Sequence, residues 1–207
     1  LLSEEAPYAY KDVDVVAEAS HADEATNPGI YILEPEVMDY VEPGQKFDLS
    51  KNLFPMLLKE KKPIFGQVQT GYWCDIGSLK QYQEAQYDAL SGKVKLEMPG
   101  REILPGVWAQ EGVDLHPSAN ITGPVLLGSG CRVAAGCRIE PFTVLGEGCT
   151  VRERASIKKS SLWNHVYMGT EASLRGAVLC SRVQVLAGAG IYEGAVVGDD
   201  SIIKENS

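Results

Sequence analysis

A large apolar residue recurs every six positions between Leu115 and Ile203, and this spacing constrains the fold more than any other feature of the chain. The step shortens to five residues only twice, at 157–162 and 174–179. A period of six fits neither a helix of 3.6 residues per turn nor the two-residue alternation of a strand. It fits a parallel β-helix, in which each hexapeptide forms one short strand and one corner. The sixteen members are Leu115, Ile121, Leu127, Val133, Ile139, Leu145, Val151, Ile157, Leu162, Met168, Leu174, Leu179, Val185, Ile191, Val197 and Ile203.

A second series of small or slim residues stands four positions after the first. In a narrow triangular prism, one inward position on each side is roomy and the next is tight, so large and small side chains alternate in the core. We therefore expect both series to point inward. The second series is Ala119, Val125, Cys131, Cys137, Thr143, Cys149, Ala155, Ser161, Val166, Ala172, Val178, Val183, Ala189, Ala195 and Ser201.

Glycines lie between the expected strands, where a corner requires positive φ. We expect corner conformations at Gly128, Gly130, Gly136, Gly146, Gly148, Gly169, Gly188, Gly190 and Gly198. The periodicity begins only after residue 100, so the chain divides into two domains. The expected boundaries are a first domain over 1–98, a linker over 99–112 and the β-helix over 113–207.

The charge balance excludes two classes of partner. The 207 residues carry a formal net charge of −9, and the sequence pI is about 4.9. Such a chain is repelled by nucleic acid and by anionic membranes. No apolar run is long enough to span a bilayer, and no signal-peptide pattern opens the chain. The sequence therefore predicts a protein without nucleic-acid or membrane partners.

The five cysteines indicate packing rather than chemistry. Cys131, Cys137 and Cys149 fall in the small inward series, and Cys180 directly follows an inward leucine. Buried cysteine behaves as a small hydrophobic residue, and an odd number of cysteines does not form a closed disulfide set. Reduced thiols of this kind are typical of the cytoplasm, which is the location we expect.

The first domain reads as mixed α and β. Residues 29–33 are expected to form a strand, and Pro35 can open a short helix that runs to residue 41. Asp48 or Ser50 can cap a second helix that contains Pro55. Residues 64–70 alternate like a strand.

A third helix has clear start and stop signals. Ser78 and Gln81 have the spacing of a capping box, and Gly92 stands where a C-terminal cap belongs. One apolar face is expected between these signals, formed by Leu79, Tyr82, Ala85 and Ala89. The preceding aromatic residues Tyr72 and Trp73 are expected in the core or the wall of a site.

Three ordered blocks resemble one enzyme family. Residues 27–33 (Asn-Pro-Gly-Ile-Tyr-Ile-Leu), 47–55 and 71–77 (Gly-Tyr-Trp-Cys-Asp-Ile-Gly) resemble the sugar-1-phosphate nucleotidyltransferases. The repeats at 115–119 and 161–164 resemble the bacterial mannose-1-phosphate guanylyltransferase type, which ends in a left-handed β-helix. The resemblance implies a Rossmann-like α/β portion followed by a left-handed parallel β-helix that serves homo-oligomeric assembly.

The resemblance also implies an activity. The family joins a nucleoside triphosphate to a sugar 1-phosphate and releases pyrophosphate, and here the expected product is GDP-mannose. Asp75 matches the family's second metal-binding aspartate, which implies Mg²⁺ as the cofactor. Asn27 and Gly29 match its sugar-contacting residues, although Pro28 replaces the usual Thr or Ala. No residue of this chain matches a catalytic position.

Two family motifs are absent from the chain. No Gly-rich phosphate loop precedes Asn27, and no Glu-Lys-Pro sugar motif does. The Gly-x-Gly segments at 128–130, 146–148 and 188–190 lie within the hexapeptide series and lack the strand and helix of a phosphate loop. We therefore expect this chain to correspond to the C-terminal portion of the enzyme and to be inactive alone.

Two other functions remain open. Many hexapeptide β-helices are acyltransferases that use a histidine base, for which His116 and His165 are the candidates, although both are expected at exposed corners. A carbonic-anhydrase-type metal site would need three convergent histidines, and His21 lies in the other domain. The second open function is a non-catalytic regulatory or assembly subunit that contacts partners through outward residues such as Trp163 and Tyr192.

Overall fold

The computed structural model describes residues 29–66 and 71–207. The chain divides into two compact units, over 1–71 and 72–207, and each is considered by itself. Within the described residues, no helix is long and apolar enough to cross a membrane.

The first unit contains short helices in the places where the sequence predicts them. A 3₁₀ helix spans Pro35–Tyr40, a π-helical turn spans Leu49–Leu53, and an α-helix follows over Phe54–Lys59. The side chain of Asp48 accepts a hydrogen bond of 2.9 Å from the backbone N–H of Lys51 and so caps the turn.

The prediction of a strand at 29–33 is wrong. Residues 30–34 have no regular secondary structure, and the side chains of Ile30 and Ile32 are exposed. An aliphatic segment becomes a strand through pairing and burial, and its composition alone supplies neither. At 64–70 the described residues contain only a single bridge, at Phe65, and 67–70 lie outside the described part.

The second unit is a parallel β-solenoid with three faces, and the hexapeptide prediction is confirmed. Each face is a sheet in which strands from successive coils pair in register. Face 1 contains Arg101–Leu104, Val107–Ala109, Val125–Leu127, Thr143–Leu145, Ser161–Leu162, Val178–Leu179 and Val196–Val197. Face 2 contains Asn120–Ile121, Arg138–Ile139, Ser156–Lys158, Ser173–Arg175 and Gly190–Ile191. Face 3 contains Asp114–Leu115, Arg132–Val133, Thr150–Val151, Tyr167–Met168, Gln184–Val185 and Ile202–Ile203.

The core of the solenoid consists of the two inward series. Leu127, Leu145 and Leu162 stack on one another in register and are almost completely buried. The thiols of Cys131, Cys137 and Cys149 are fully buried and unpaired, which confirms them as packing residues.

Two members of the small series do not point inward. Ser161 pairs with Val144 and Val178 pairs with Ser161, so both stand in the outward row of face 1. The inward positions belong to Ser160 and Ala177, which are buried. Each five-residue step removes one residue from the corner between the large and the small position, which moves the small inward residue one place earlier.

Glycine is less general at the corners than expected. Residues with positive φ recur at the corner spacing, and they are Gly130, Gly136, Phe142, Gly148, Arg154, Lys159, His165, Glu171, Gly176, Arg182, Gly188, Gly194, Asp200 and Asn206. The glycines at 128, 146, 169, 190 and 198 do not have positive φ, so that expectation is wrong for them. Gly128 has another reason to be glycine, because a Cβ there would lie 2.6 Å from the carbonyl carbon of Gly146 in the next coil.

The region expected as a linker contains part of the solenoid. Residues Arg101–Leu104 and Val107–Ala109 form an antiparallel pair, and Val107–Ala109 also pairs in parallel with Val125–Leu127. Val107 and Ala109 are buried in the same core. The structure also groups residues 72–98 with the solenoid in one compact unit, whereas the sequence places them with 1–71.

Candidate functional site

The helix Leu79–Leu90, called here the flanking helix, begins directly after the block that contains Asp75. The predicted N-cap is present, since Ser78 Oγ accepts from the backbone N–H of Gln81 at 3.2 Å. The reciprocal bond of a capping box is replaced by one between side chains, in which Ser78 Oγ donates to Gln81 Oε1 at 2.9 Å. The helix end is also as predicted. Gly92 has φ +77°, its N–H bonds to Ala89 O at 3.1 Å, and the N–H of Lys93 bonds to Asp88 O at 3.0 Å. These two bonds are those of a Schellman motif.

Asp75 lies in an exposed segment without regular secondary structure, ahead of the helix N-terminus. Its carboxylate turns toward the start of the helix, since Oδ2 is 3.5 Å from the position that a Cβ on Gly77 would occupy. This distance is an ordinary van der Waals contact, so a side chain at position 77 would not displace the carboxylate. An acidic group at this place is also favourable for the helix dipole.

Asp75 alone does not form a complete Mg²⁺ site, and its carboxylate would fit only a site that other groups share. Mg²⁺ is commonly held by one or two carboxylates together with waters and substrate phosphates. Among the described residues, no group of three or more His, Cys, Asp or Glu side chains could hold a metal ion. Asp75 can therefore supply one oxygen ligand, and the other ligands must come from elsewhere.

Tyr72 ties the Asp75 segment to the far end of the flanking helix. Its hydroxyl donates to Asp88 Oδ2 at 3.1 Å, and Lys93 Nζ donates to Asp88 Oδ1 at 2.6 Å. Desolvation, the bond to Asp88 and the nearby Cys74 thiol raise the pKa of Tyr72 to about 12. The bond from Lys93 is the main reason why the pKa of Asp88 lies below its usual value.

The two aromatic residues of this block are not core residues. Tyr72 and Trp73 are 42% and 53% exposed, which contradicts the core alternative, while a position in the wall of a site stays a prediction. The sequence pattern gave no sign of the bond between Tyr72 and Asp88, because the two residues are sixteen positions apart and lie on different elements.

The flanking helix docks on face 1 of the solenoid. Tyr87 Oη donates to Lys159 O at 2.8 Å, and Trp163 Nε1 donates to Tyr82 Oη at 3.1 Å. Further along, Gln83 Nε2 donates to Gly176 O at 3.3 Å. Burial, with a smaller effect of the Glu193 charge, raises the pKa of Tyr87 above its ordinary value.

The sequence contains a signal for this docking, in the outward residues of face 1. The outward row of face 1 is apolar except at one position, whereas the outward rows of the other faces are mostly polar. The row of face 1 is Trp108, Leu126, Val144, Ser161, Val178 and Val196. Ser161 satisfies its hydroxyl with Gln86 of the flanking helix. An apolar outward row predicts a covering element, because it would otherwise be exposed to water.

A cavity of about 240 Å³ remains beside the docked helix. It lies between the C-terminal half of the helix, residues 96–99 and the outward side chains of Leu126 and Val144. Gln86 and Glu97 are the polar side chains in its wall. It contains no cluster of groups suited to acid–base or metal chemistry.

Of the two candidate sugar-contacting residues, the structure describes only Gly29. Asn27 lies outside the described residues. Gly29 has φ +74°, a backbone conformation that favours glycine. Gly29 belongs to the first compact unit, and Asp75 belongs to the second.

The histidines considered for acyl transfer are corner residues. His116 is exposed, and its Nδ1 accepts from the backbone N–H of Ser118 at 3.1 Å. His165 is exposed at a corner with φ +59°. Neither lies in the cavity beside the flanking helix.

Comparison with known proteins supports the resemblance on both parts of the chain. Residues 15–92 match the nucleotidyl transferase family model, and residues 105–207 match that of the EIF2B subunit epsilon LbH domain. The second unit is thus a solenoid of the left-handed β-helix type, as expected.

Curated relatives agree on the class of enzyme and differ in nucleotide. The UTP–glucose-1-phosphate uridylyltransferase of Synechocystis sp. is 34% identical over 150 residues, which cover 72% of this chain and 39% of the relative. Probable mannose-1-phosphate guanylyltransferase 3 of Oryza sativa subsp. japonica is 25% identical, with 84% and 44% covered. The glucose-1-phosphate adenylyltransferase of Desulforamulus reducens is 27% identical, with 86% and 41% covered.

These matches confirm the resemblance to the sugar-1-phosphate nucleotidyltransferases. The chain spans about two fifths of the length of the relatives that it matches.

Proposed function

We infer that this chain is the C-terminal portion of a nucleotidyltransferase that forms a nucleotide sugar from a nucleoside triphosphate and a sugar 1-phosphate, with release of pyrophosphate. The observation that carries this proposal is the combination in one chain of a nucleotidyl transferase match over 15–92 and a β-helix match over 105–207. We propose GDP-mannose as the product and a cytoplasmic location, the latter supported by the unpaired cysteines.

Asp75 is the residue of this chain that we assign to the metal. In the reaction, an oxygen of the sugar phosphate attacks the α-phosphorus, and the oxygen of the leaving pyrophosphate accumulates negative charge. Mg²⁺ held partly by Asp75 would neutralise charge on the phosphates. Asp75 contributes one carboxylate oxygen, presented from a segment fixed at the N-terminus of the flanking helix.

Gly29 and Asn27 are proposed to contact the sugar. Gly29 has a positive φ that favours glycine, and a residue without a side chain suits close approach of a sugar hydroxyl. Asn27 offers one amide donor and one acceptor, which suits a sugar hydroxyl. Neither residue performs bond chemistry, and both serve to position the substrate.

The solenoid is proposed to serve homo-oligomeric assembly and to support the flanking helix. Trp163 and Tyr192 present exposed aromatic surface, which suits a protein contact. A second candidate is a regulatory subunit without catalytic activity of its own. It is favoured by the match of residues 105–207 to a domain named for a subunit of a larger assembly.

The test is a substrate panel on the complete protein. Each of the four nucleoside triphosphates is paired with mannose 1-phosphate and with glucose 1-phosphate, and pyrophosphate release is measured. We expect release with GTP and mannose 1-phosphate, and none from the isolated 207-residue chain. Absence of release from every pair would refute the enzyme and favour the regulatory subunit. Pyrophosphorolysis of GDP-mannose by the isolated chain, lost in Asp75→Ala, would refute the expected inactivity of this chain.

A further inference from the structure

The segment that carries Asp75 is not fixed by burial. Residues 72–77 have no regular secondary structure, and the side chains on both sides of Asp75 include exposed Trp73 and Ile76. A carboxylate on a freely moving segment would lose conformational entropy whenever it bound a cation. Something other than a hydrophobic core must therefore hold Asp75 in place.

Two hydrogen-bonded attachments enclose this segment. At its end, Ser78 caps the flanking helix through the N–H of Gln81. At its start, Tyr72 Oη donates to Asp88 Oδ2, near the other end of the same helix. The ten residues from Ser78 to Asp88 rise about 15 Å along a helix. The six-residue segment from Tyr72 to Ser78 is therefore joined to the same helix at both of its ends.

Asp88 is itself held in place by the helix terminus. Gly92 adopts φ +77°, which turns the chain back and brings Lys93 beside the last helical turn. The N–H of Lys93 then bonds to Asp88 O at 3.0 Å, and its Nζ bonds to Asp88 Oδ1 at 2.6 Å. The side chain of Asp88 is only 24% exposed. Its two carboxylate oxygens are divided between Lys93 and Tyr72.

From this arrangement we propose that Tyr72 and Asp88, with Lys93, are positioning residues for Asp75. They hold the Asp75 segment against the flanking helix in the geometry that binds the cation. The proposal rests on the proposed function, in which Asp75 is a metal ligand. Groups that orient a metal ligand without touching the metal commonly change metal affinity by about ten- to a hundredfold when they are removed.

The first test measures the attachment itself in the 207-residue chain. Tyr72→Phe keeps the ring and removes the hydroxyl, and Asp88→Asn removes the charge that binds both partners. We expect chymotryptic cleavage within residues 72–77 to become about tenfold faster in both variants, because the loss of the bond between Tyr72 and Asp88 frees this segment. Tyr192→Phe, an exposed tyrosine on the solenoid, is the matched control and should leave the cleavage rate of this segment unchanged. Equal cleavage rates in Tyr72→Phe and Tyr192→Phe would overturn the proposal.

The second test measures the cation in the complete enzyme. We expect Tyr72→Phe to raise the Mg²⁺ concentration for half-maximal activity by about tenfold, while kcat at saturating Mg²⁺ stays close to that of the wild type. Faster cleavage within residues 72–77 with an unchanged Mg²⁺ requirement would overturn the positioning role.

Asp75→Asn distinguishes a failure of the metal assignment from a failure of the positioning role. If it alters neither activity nor Mg²⁺ requirement, the metal assignment fails and the positioning role fails with it. If Asp75→Asn raises the Mg²⁺ requirement and Tyr72→Phe does not, only the positioning role is refuted.

Discussion

Placing a charge under the flanking helix should release that helix from the solenoid. Val144 stands in the outward row of face 1, between Leu126 and Ser161, and lies close to Gln86 of the helix. Val144→Asp removes partly buried apolar surface and places a carboxylate without a partner under the helix. Thr150→Asp is the matched control, because Thr150 is also an outward strand residue beside an inward valine, but on face 3.

The expected magnitude follows from the contacts at Val144. Loss of a partly buried valine costs about 1 kcal/mol, which is about half the value for complete burial. An unpaired polar group in the same place costs about 2 kcal/mol more. The helix is held by four hydrogen bonds to the solenoid, which contribute about 1 kcal/mol each. The substitution therefore destabilises docking by about 3 kcal/mol, which offsets most of the stabilisation from these four hydrogen bonds.

Amide hydrogen exchange measured peptide by peptide is the assay. We expect protection of residues 79–90 to fall about a hundredfold in Val144→Asp, while the strands of faces 2 and 3 keep theirs. Thr150→Asp should leave the helix protected. Equal amide protection of the helix in the two variants would refute its docking on face 1 through Val144. Loss of protection in the whole solenoid together with the helix would refute it as well.

Three further substitutions or conditions test the fold and the helix ends. Leu145→Ala should lower the free energy of unfolding in urea by about 4 kcal/mol, because the stacked coils cannot collapse into the cavity, whereas exposed Leu96→Ala should cost less than about 1 kcal/mol. Ser78→Ala should cost about 1 kcal/mol, measured in the same way, through loss of the N-cap. Since the pKa of Asp88 is lowered in the folded chain, its contribution to stability is present above the ordinary carboxyl pKa of 3.8 and is lost as pH falls below it. The free energy of unfolding of Asp88→Asn, measured as the pH is lowered, should lack that loss. If it falls with pH as steeply as that of the wild type, the assignment to Asp88 is contradicted.

The solenoid could be predicted from sequence because its energetics repeat. Each hexapeptide contributes the same inward pair, so the signal is reinforced in every coil. The exceptions lie where the repeat is interrupted. Ser161 and Val178 were misplaced because the spacing locates a deleted residue only to within one hexapeptide, and backbone pairing is needed to assign it to the corner.

The surroundings of Asp75 could be predicted only in part. The helix cap at Ser78 and the turn at Gly92 follow from local propensity, and both are present. The bond between Tyr72 and Asp88 depends on how a segment without regular structure folds along a helix. Such a contact has no periodicity in the sequence, and no residue type at either position implies it.

The measurement that tests the account most directly is the effect of Asp75→Asn on the complete enzyme. We predict that kcat/KM for nucleotide-sugar formation falls at least about a hundredfold, because a metal ligand is lost. Asp114→Asn, at an exposed outward position of face 3, should stay within about twofold of the wild type. Equal kcat/KM in Asp75→Asn and the wild type would contradict the assignment of this chain to the metal side of a nucleotidyltransferase.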